Sequence, residues 1–462
     1  MPPDSDHPTD SAPQKRDLTS GSLLGTLLRL AVPVAADSAI RSLYNLADAF
    51  WLGRWSKEGL AAAGVTMPFF FVIIAFSMGF GNAGTAAVSQ FTGADDYRRA
   101  DRAAAQTLLL MFLLAAVLAI PLILFAPSLF TLVQVPEAAR PHATSYIRIL
   151  SFGLPLVAFN IAYGSVLRGL GDTVTPLLIG AANNVVNVVL DPFLIFGWGI
   201  FPELGAAGAA LAGLISLGVG ALGCYIGMRR KVAGLNVKPS DFWPDTDLLR
   251  RIFRVGIPAA LNNSSTSVGF ALLQVMVNTL GTAVIGAFTI GFRIIFFFGI
   301  PGHALAAAAA PVVGQALGSG KPSLARRAVW RSALVVGVTM FVPAALLMLK
   351  GELVAAAFTD NQAVIRQARR FLLIMPAASY FFSVLMVLTA AFYGSGHTKP
   401  AMFVGIMRTF VFRLPLAYVL AFLAGWGSYG IYAGWAFANV ASALLTLYLF
   451  HRGGWETAAA RE

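Results

Sequence analysis

The chain has 462 residues, of which 57% are hydrophobic and only 12% charged, and its mean hydropathy is +0.73. That charge fraction is about half of what a soluble surface carries, so a string of soluble domains is excluded. The formal net charge of +12 sits largely in short loops on one side, which is a membrane-orientation pattern and not a nucleic-acid surface. The single cysteine, Cys224, excludes an intrachain disulfide and a Cys-rich metal motif.

In chain order, residues 1–20 are polar and lack the apolar core of a signal peptide. They are expected to form a disordered cytoplasmic tail, with the first span as an uncleaved signal anchor. A span needs about 20 mainly apolar residues. Twelve such stretches are expected at 24–52, 62–90, 103–126, 143–168, 173–198, 205–228, 252–280, 284–314, 328–349, 367–393, 399–423 and 428–450. The loops at 93–102, 229–254 and 318–327 are basic and follow even-numbered spans, which places both termini in the cytoplasm. The stretch with Lys350, Arg366, Arg369 and Arg370 goes against that pattern. The expected organisation is an N-lobe at 21–228, a polar linker at 229–251, a C-lobe at 252–451 and a tail at 452–462. The linker is long enough to let the lobes move.

An internal repeat supports two lobes. Pro33 in LRLAVP matches Pro258 in FRVGIP, at an offset of 258 − 33 = 225. Gln90 matches Gln315 at 315 − 90 = 225, and Gly93 matches Gly318 in the same register. Gly169 matches Gly394 at 394 − 169 = 225. Six spans per repeat is an even number, so the second copy enters from the same side as the first. The expected fold is all-α, about twelve transmembrane helices in two parallel six-helix repeats, a plan suited to lobes that rock around a central cavity.

Polar residues inside the spans carry the chemistry. Asp48 follows Tyr44 and Asn45 at spacings of four and three, which share one helical face. An acid in the membrane faces the bundle interior and marks an ion pathway by default. A desolvated carboxylate takes up protons readily, so such a group can load and release one as its lobe opens and closes. The alternative is a structural hydrogen-bond hub. Span five carries Asn184, Asn187 and Asp191 as a second stripe, followed by Pro192. Oxygens so arranged suit a hydrated proton or a hard cation, although Asn also glues membrane helices together. Asn160 in span four is a further cavity candidate. Asp37 and Arg41 stand at i and i+4 and read as a structural ion pair.

The C-lobe differs. Leu273 and Leu416 stand at Asp48 and Asp191 plus 225, and spans seven to twelve hold no acid. Span seven offers Asn262 and Asn263 as ligand or helix-backbone partners. Arg293 in span eight and Arg413 in span eleven are expected to line the C-lobe half of the cavity and to favour substrates with an acid group. Arg408, near the start of its span, is expected to snorkel to the cytoplasmic face.

Three motifs then carry a family resemblance: YNLADAFWLG at 44–53, LRGLGD at 167–172 and NVVLDP at 187–192. Together with the repeat, they resemble the multidrug and toxic compound extrusion family, and in particular its DNA-damage-inducible-protein branch, from about Leu24 to Phe450. The resemblance implies a V-shaped pair of lobes and export of amphipathic compounds across the inner membrane by alternating access. The exchange is for protons or sodium, by a monomer, with no cofactor and no enzymatic activity. It assigns ion coupling to Asp48, Tyr146, Asn187 and Asp191. A threonine of sodium-binding relatives falls at Gly213, which removes a sodium ligand and favours the proton, with Na+ at Asp48, Asn187 and Asp191 as the alternative. No GxxxxGK[ST] sequence is present, so ATP is not the energy source. The competing readings are a flippase for lipid-linked sugars or an exporter of organic anions. A membrane enzyme is disfavoured by scattered histidines, and a channel by the lack of a repeated filter loop.

Overall fold

The computed structural model describes residues 17–132, 135, 137 and 139–459. The first repeat contributes α1 (Leu23–Trp55), α2 (Lys57–Gly93), α3 (Tyr97–Leu132), α4 (Arg140–Gly169), α5 (Val174–Phe196) and α6 (Ala206–Arg229). The second contributes α7 (Thr246–Asn278), α8 (Thr282–Phe298), α9 (Ile300–Gly318), α10 (Pro322–Ala356) and α11 (Gln362–Ser395), then α12 (Lys399–Ile406), α13 (Leu414–Tyr418) and α14 (Ser428–Arg452). Among the described residues, eleven helical segments are long and apolar enough to cross a membrane. The helix α7 falls outside that set because of its polar run from Asn262 to Ser267.

Two expected spans are not single α-helices. Span eight breaks at Gly299 into α8 and α9, and Pro301 lies in the first turn of α9, where its missing N–H costs nothing. Span eleven changes hydrogen-bond period twice, with π-helix at Met407–Arg413 and Val419–Leu423 flanking α13.

The two lobes lock crosswise at the end that carries the basic loops, hereafter the basic end. Gln90 at the end of α2 donates from Nε2 to the Gly394 carbonyl at 2.8 Å. Gln315 at the end of α9 donates from Nε2 to the Gly169 carbonyl at 3.1 Å. Both glutamines are buried, and donor and acceptor in one bond are each displaced by 225 residues from those in the other. The same two-fold relation governs backbone packing. A Cβ on Gly93 would overlap the backbone of Gln315, and one on Gly318 would overlap the backbone of Gln90. The repeat therefore preserves a symmetric interface, where helix ends meet at backbone distance only because glycine has no side chain. Further along, Asn263 Nδ2 donates to the Ala75 carbonyl at 3.3 Å and ties α7 to α2.

Segments expected to be loose are fastened to this end. The tail expected at 1–20 is placed from Asp17 onward, and residues 1–16 lie outside the described residues. Leu18 is buried, and its N–H donates to Gln315 Oε1 at 2.9 Å, so one side chain ties the N-terminal segment and both lobes together. In the C-terminal segment Trp455 is buried and stacks on Phe450 at 4.9 Å, while Glu456 pairs with Arg326 at 2.6 Å.

The linker is likewise docked. Arg98, Arg102 and Gln106 stand four apart on one face of α3. Arg98 grips the buried Asp241 with both terminal nitrogens at 2.9 and 2.7 Å, and Arg102 pairs with Asp245 at 3.0 Å. Gln106 Nε2 donates to the carbonyls of Asp241 and Trp243 at 2.6 and 2.8 Å. Asp245 caps α7, accepting from the N–H of Leu248 at 3.1 Å. Basic residues read as orientation signals thus also strap the linker to the first lobe.

Replacing Gln90 by Leu leaves the buried Gly394 carbonyl unpaired, at a cost of about 1–3 kcal/mol, and Gln315→Leu leaves both the Gly169 carbonyl and the Leu18 N–H unpaired. Thermal unfolding of the purified protein should show a loss in both variants, the larger one in Gln315→Leu. A loss in only one of them would contradict the symmetry of the lock.

Candidate functional site

The helix α1 presents Tyr44 and Asp48 to the inside of the first lobe, both half-buried. The helix α5 buries Asn184, Asn187 and Asp191 as one stripe, while Val185 and Val189 are exposed on its other side. The helix α4 adds Tyr146, which is 3% exposed. Both tyrosines stand near both carboxylates, and the two carboxylates stand near each other. The structure therefore brings together Asp48, Tyr146, Asn187 and Asp191, three of which were expected from the face periodicity and one from the family resemblance.

Hydrogen bonds organise the α5 side. With its amide oriented to satisfy both neighbours, Asn187 donates to Asp191 Oδ2 at 3.3 Å and accepts from the Gly213 N–H at 3.0 Å. Asp191 is 0% exposed, and its other oxygen, Oδ1, has no partner among the described residues. No cation among the described residues pairs with Asp48 or Asp191. Two like charges in such surroundings are costly, and a proton or a cation between them removes that cost.

The site lies towards the end opposite the basic loops. Asp48 is 55 − 48 = 7 residues from the end of α1, and Asp191 is 196 − 191 = 5 from the end of α5. At 1.5 Å per residue these are depths of about 10 and about 8 Å. Beyond them an aromatic layer closes the lobe: Trp51 meets Phe196 and Trp198 edge-on, and Trp55 Nε1 donates to Glu203 at 2.8 Å. Amphipathic rings of this kind belong at a membrane interface.

Other expected residues lie elsewhere. Asn45 is exposed on α1. Asn160 bridges α4 and α6, donating to the Leu217 carbonyl and accepting from Cys224, both at 3.3 Å. Asp37 and Arg41 form the expected ion pair at 2.9 Å, near Arg168 of α4 and His303 of α9. In the second lobe Asn262 donates to Tyr393 at 2.5 Å and Asn263 reaches across to α2, while Arg293 is exposed on α8 and Arg413 is buried. Arg408 does not snorkel: it is 3% exposed and donates to Thr266 at 2.6 Å. Sequence reasoning valued Gln90 and Gln315 only as markers of the repeat. Their recurrence at one offset beside glycine was the signal that they pack together.

A comparison with protein families settles the lineage. The family model MatE matches residues 33–193 and again 258–419, and the two matches begin 258 − 33 = 225 residues apart, the register of the symmetric lock. The chain belongs to the MatE family. It is a multi-pass membrane transporter and not an enzyme. Among its relatives is the "Probable multidrug resistance protein YoeA" of Bacillus subtilis (strain 168), 26% identical with 92% of each chain covered. Another is the "FAD transporter" of Shewanella oneidensis, 26% identical with 89% of this chain and 91% of that one covered. A solved structure described as the outward-facing conformation of a multidrug resistance MATE family transporter superposes with a TM-score of 0.88 at 27% identity, covering 96% of this chain and 98% of the other.

Within this MatE site Gly213 is spacious. A Cβ there would meet Leu150 and Asn187 at ordinary distances of 3.6 and 3.8 Å. At Gly208, one turn earlier, a Cβ would overlap the Leu194 carbonyl of α5. Gly213→Ala is therefore expected to leave the unfolding temperature nearly unchanged, a change in stability within about 0.5 kcal/mol. Gly208→Ala should lower it clearly, and equal losses in the two variants would contradict this packing.

Proposed function

We propose that the protein is a secondary active exporter of amphipathic organic compounds, driven by cation antiport with the proton as the coupling ion. The observation that carries this reading is the Asp48–Asp191 pair, held inside a membrane-embedded lobe where, among the described residues, no cation pairs with either acid and one oxygen of Asp191 is unpartnered. Asp191 and Asp48 bind the proton, Asn187 fixes the Asp191 carboxyl, and Tyr146 walls the chamber. Gly213 offers no side-chain oxygen, which favours the proton over sodium.

Transport then follows from differential affinity. A proton on the acid pair and a substrate in the cleft each prefer a different packing of the lobes, and that preference alone couples their movements. The basic end, assigned to the cytoplasm of the inner membrane together with both termini, is shut by the crosswise glutamines. This supports an outward-facing arrangement, in keeping with the similar structure described as outward-facing. The protein works as a monomer, since each chain contains both lobes of the cavity.

Liposome uptake of a fluorescent cationic dye tests this. A proton gradient alone should drive uptake, a sodium gradient alone should not, and Asp48→Asn or Asp191→Asn should reduce it to the rate of empty liposomes. Uptake under sodium alone would overturn the choice of ion, and full activity in both variants would overturn the site.

A further inference from the structure

The second lobe has no counterpart of the acid site. At the positions of Asp48, Tyr146, Asn187 and Asp191 plus 225 stand Leu273, Phe371, Phe412 and Leu416, all apolar. In their place the lobe buries two guanidinium groups. Arg408 and Arg413 are each 3% exposed, and they stand five residues apart in one short stretch of helix.

Their placement follows from the backbone. Both lie in the π-helical stretch Met407–Arg413. A π-helix bonds residue i to i+5, so residues five apart come to stand over one another, whereas in an α-helix they diverge. The unusual period therefore turns both side chains into the lobe, and π segments of this kind recur at functional sites.

Neither guanidinium is neutralised. Arg408 donates one hydrogen bond, from Nη2 to Thr266 at 2.6 Å, and lies over the Phe382 ring at 4.7 Å. Its Nε and Nη1 are buried without a partner. Arg413 lies over the Trp435 ring at 5.2 Å, and its Nε is also unpartnered. Among the described residues, the acids from α8 to α14 are Glu352, exposed and paired with Arg369 at 3.2 Å, and Asp360, exposed between α10 and α11. Two buried cations with open donors and no acid carry a desolvation penalty that ring faces offset only in part. A planar fork of N–H groups is the shape that recognises a small anion or a carboxylate.

We propose that Arg408 and Arg413 together hold a compact monoanionic group inside the second lobe. Its source is either a free halide or the carboxylate or sulfonate of a transported compound. Access runs past Asn262, Asn263 and Tyr393, half-buried residues linked to one another where α7 meets α2.

The test uses the purified full chain in detergent without any gradient, so its failure leaves carboxylate-coupled transport standing. Unfolding temperature is followed as sodium bromide is added, with sucrose balancing the osmolarity and Arg413→Gln run alongside as the control for ionic strength. Tryptophan quenching by bromide is followed in parallel, with Trp435→Phe to isolate the ring beneath Arg413. Bromide should raise the unfolding temperature and quench Trp435, both saturably. Arg408→Gln and Arg413→Gln should each weaken bromide binding at least tenfold. The wild-type titration needs no variant to fold. Competition by naphthalene sulfonate would assign the site to the acid group of a substrate, and bromide binding indifferent to it would assign the site to a free halide. An unfolding temperature that bromide raises no more in the wild type than in Arg413→Gln, or quenching of Trp435 that rises linearly and is unchanged in Arg413→Gln, would overturn the proposal.

Discussion

A carboxylate inside a lipid-embedded helix bundle needs a proton, a cation or water beside it. In this chain two carboxylates meet that requirement jointly, and much of the first lobe is arranged around them. The helix α5 buries its polar stripe so that Asn187 can hold one oxygen of Asp191 and leave the other open. The helix α1 carries Asp48 on the same side as Tyr44, and the aromatic layer around Trp51 closes the lobe beyond them. A chamber of this kind does work only if the rest of the protein decides which side of the membrane it sees.

In the proposed mechanism that decision rests with the interface between the lobes. Its bonds come in a symmetric pair, from Gln90 to Gly394 and from Gln315 to Gly169, at positions where glycine lets the helix ends meet. The docked linker and the buried Leu18 and Trp455 add weight to the same end. Geometry is thus shared by the two repeats, while chemistry is divided between them. Among the described residues the first lobe holds Asp48 and Asp191 with no cation paired to either, the second buries Arg408 and Arg413 with no acid paired to either, and apolar Leu273 and Leu416 stand where the second lobe's counterparts of the two acids would be.

The sequence made the helical spans, the repeat and the acid stripe legible for physical reasons. Apolar length sets a span, and residues three and four apart share a face whatever the helix packs against. Asp48, Asn187 and Asp191 were found on that basis. Tyr146 has no periodic signal of its own and came only through family resemblance. Arg408 was misplaced because its position near the start of span eleven suggested reach to the cytoplasmic face, whereas it lies in a π stretch and is buried against Thr266. The linker was taken as loose because Asp241 looks like any loop acid until Arg98 and Gln106 of α3 are placed against it. The break at Gly299 was hidden by continuous hydropathy on either side.

The central claim is that substrate and proton prefer opposed states of the lobe that contains Asp48 and Asp191. The most direct test is to add tetraphenylphosphonium, a lipophilic cation, to purified protein in weakly buffered detergent and record protons with a pH indicator. Binding should release protons from the wild-type protein, with the release lost in the Asp48→Asn, Asp191→Asn double variant. Binding without proton release, or release that persists in the double variant, would contradict the claim.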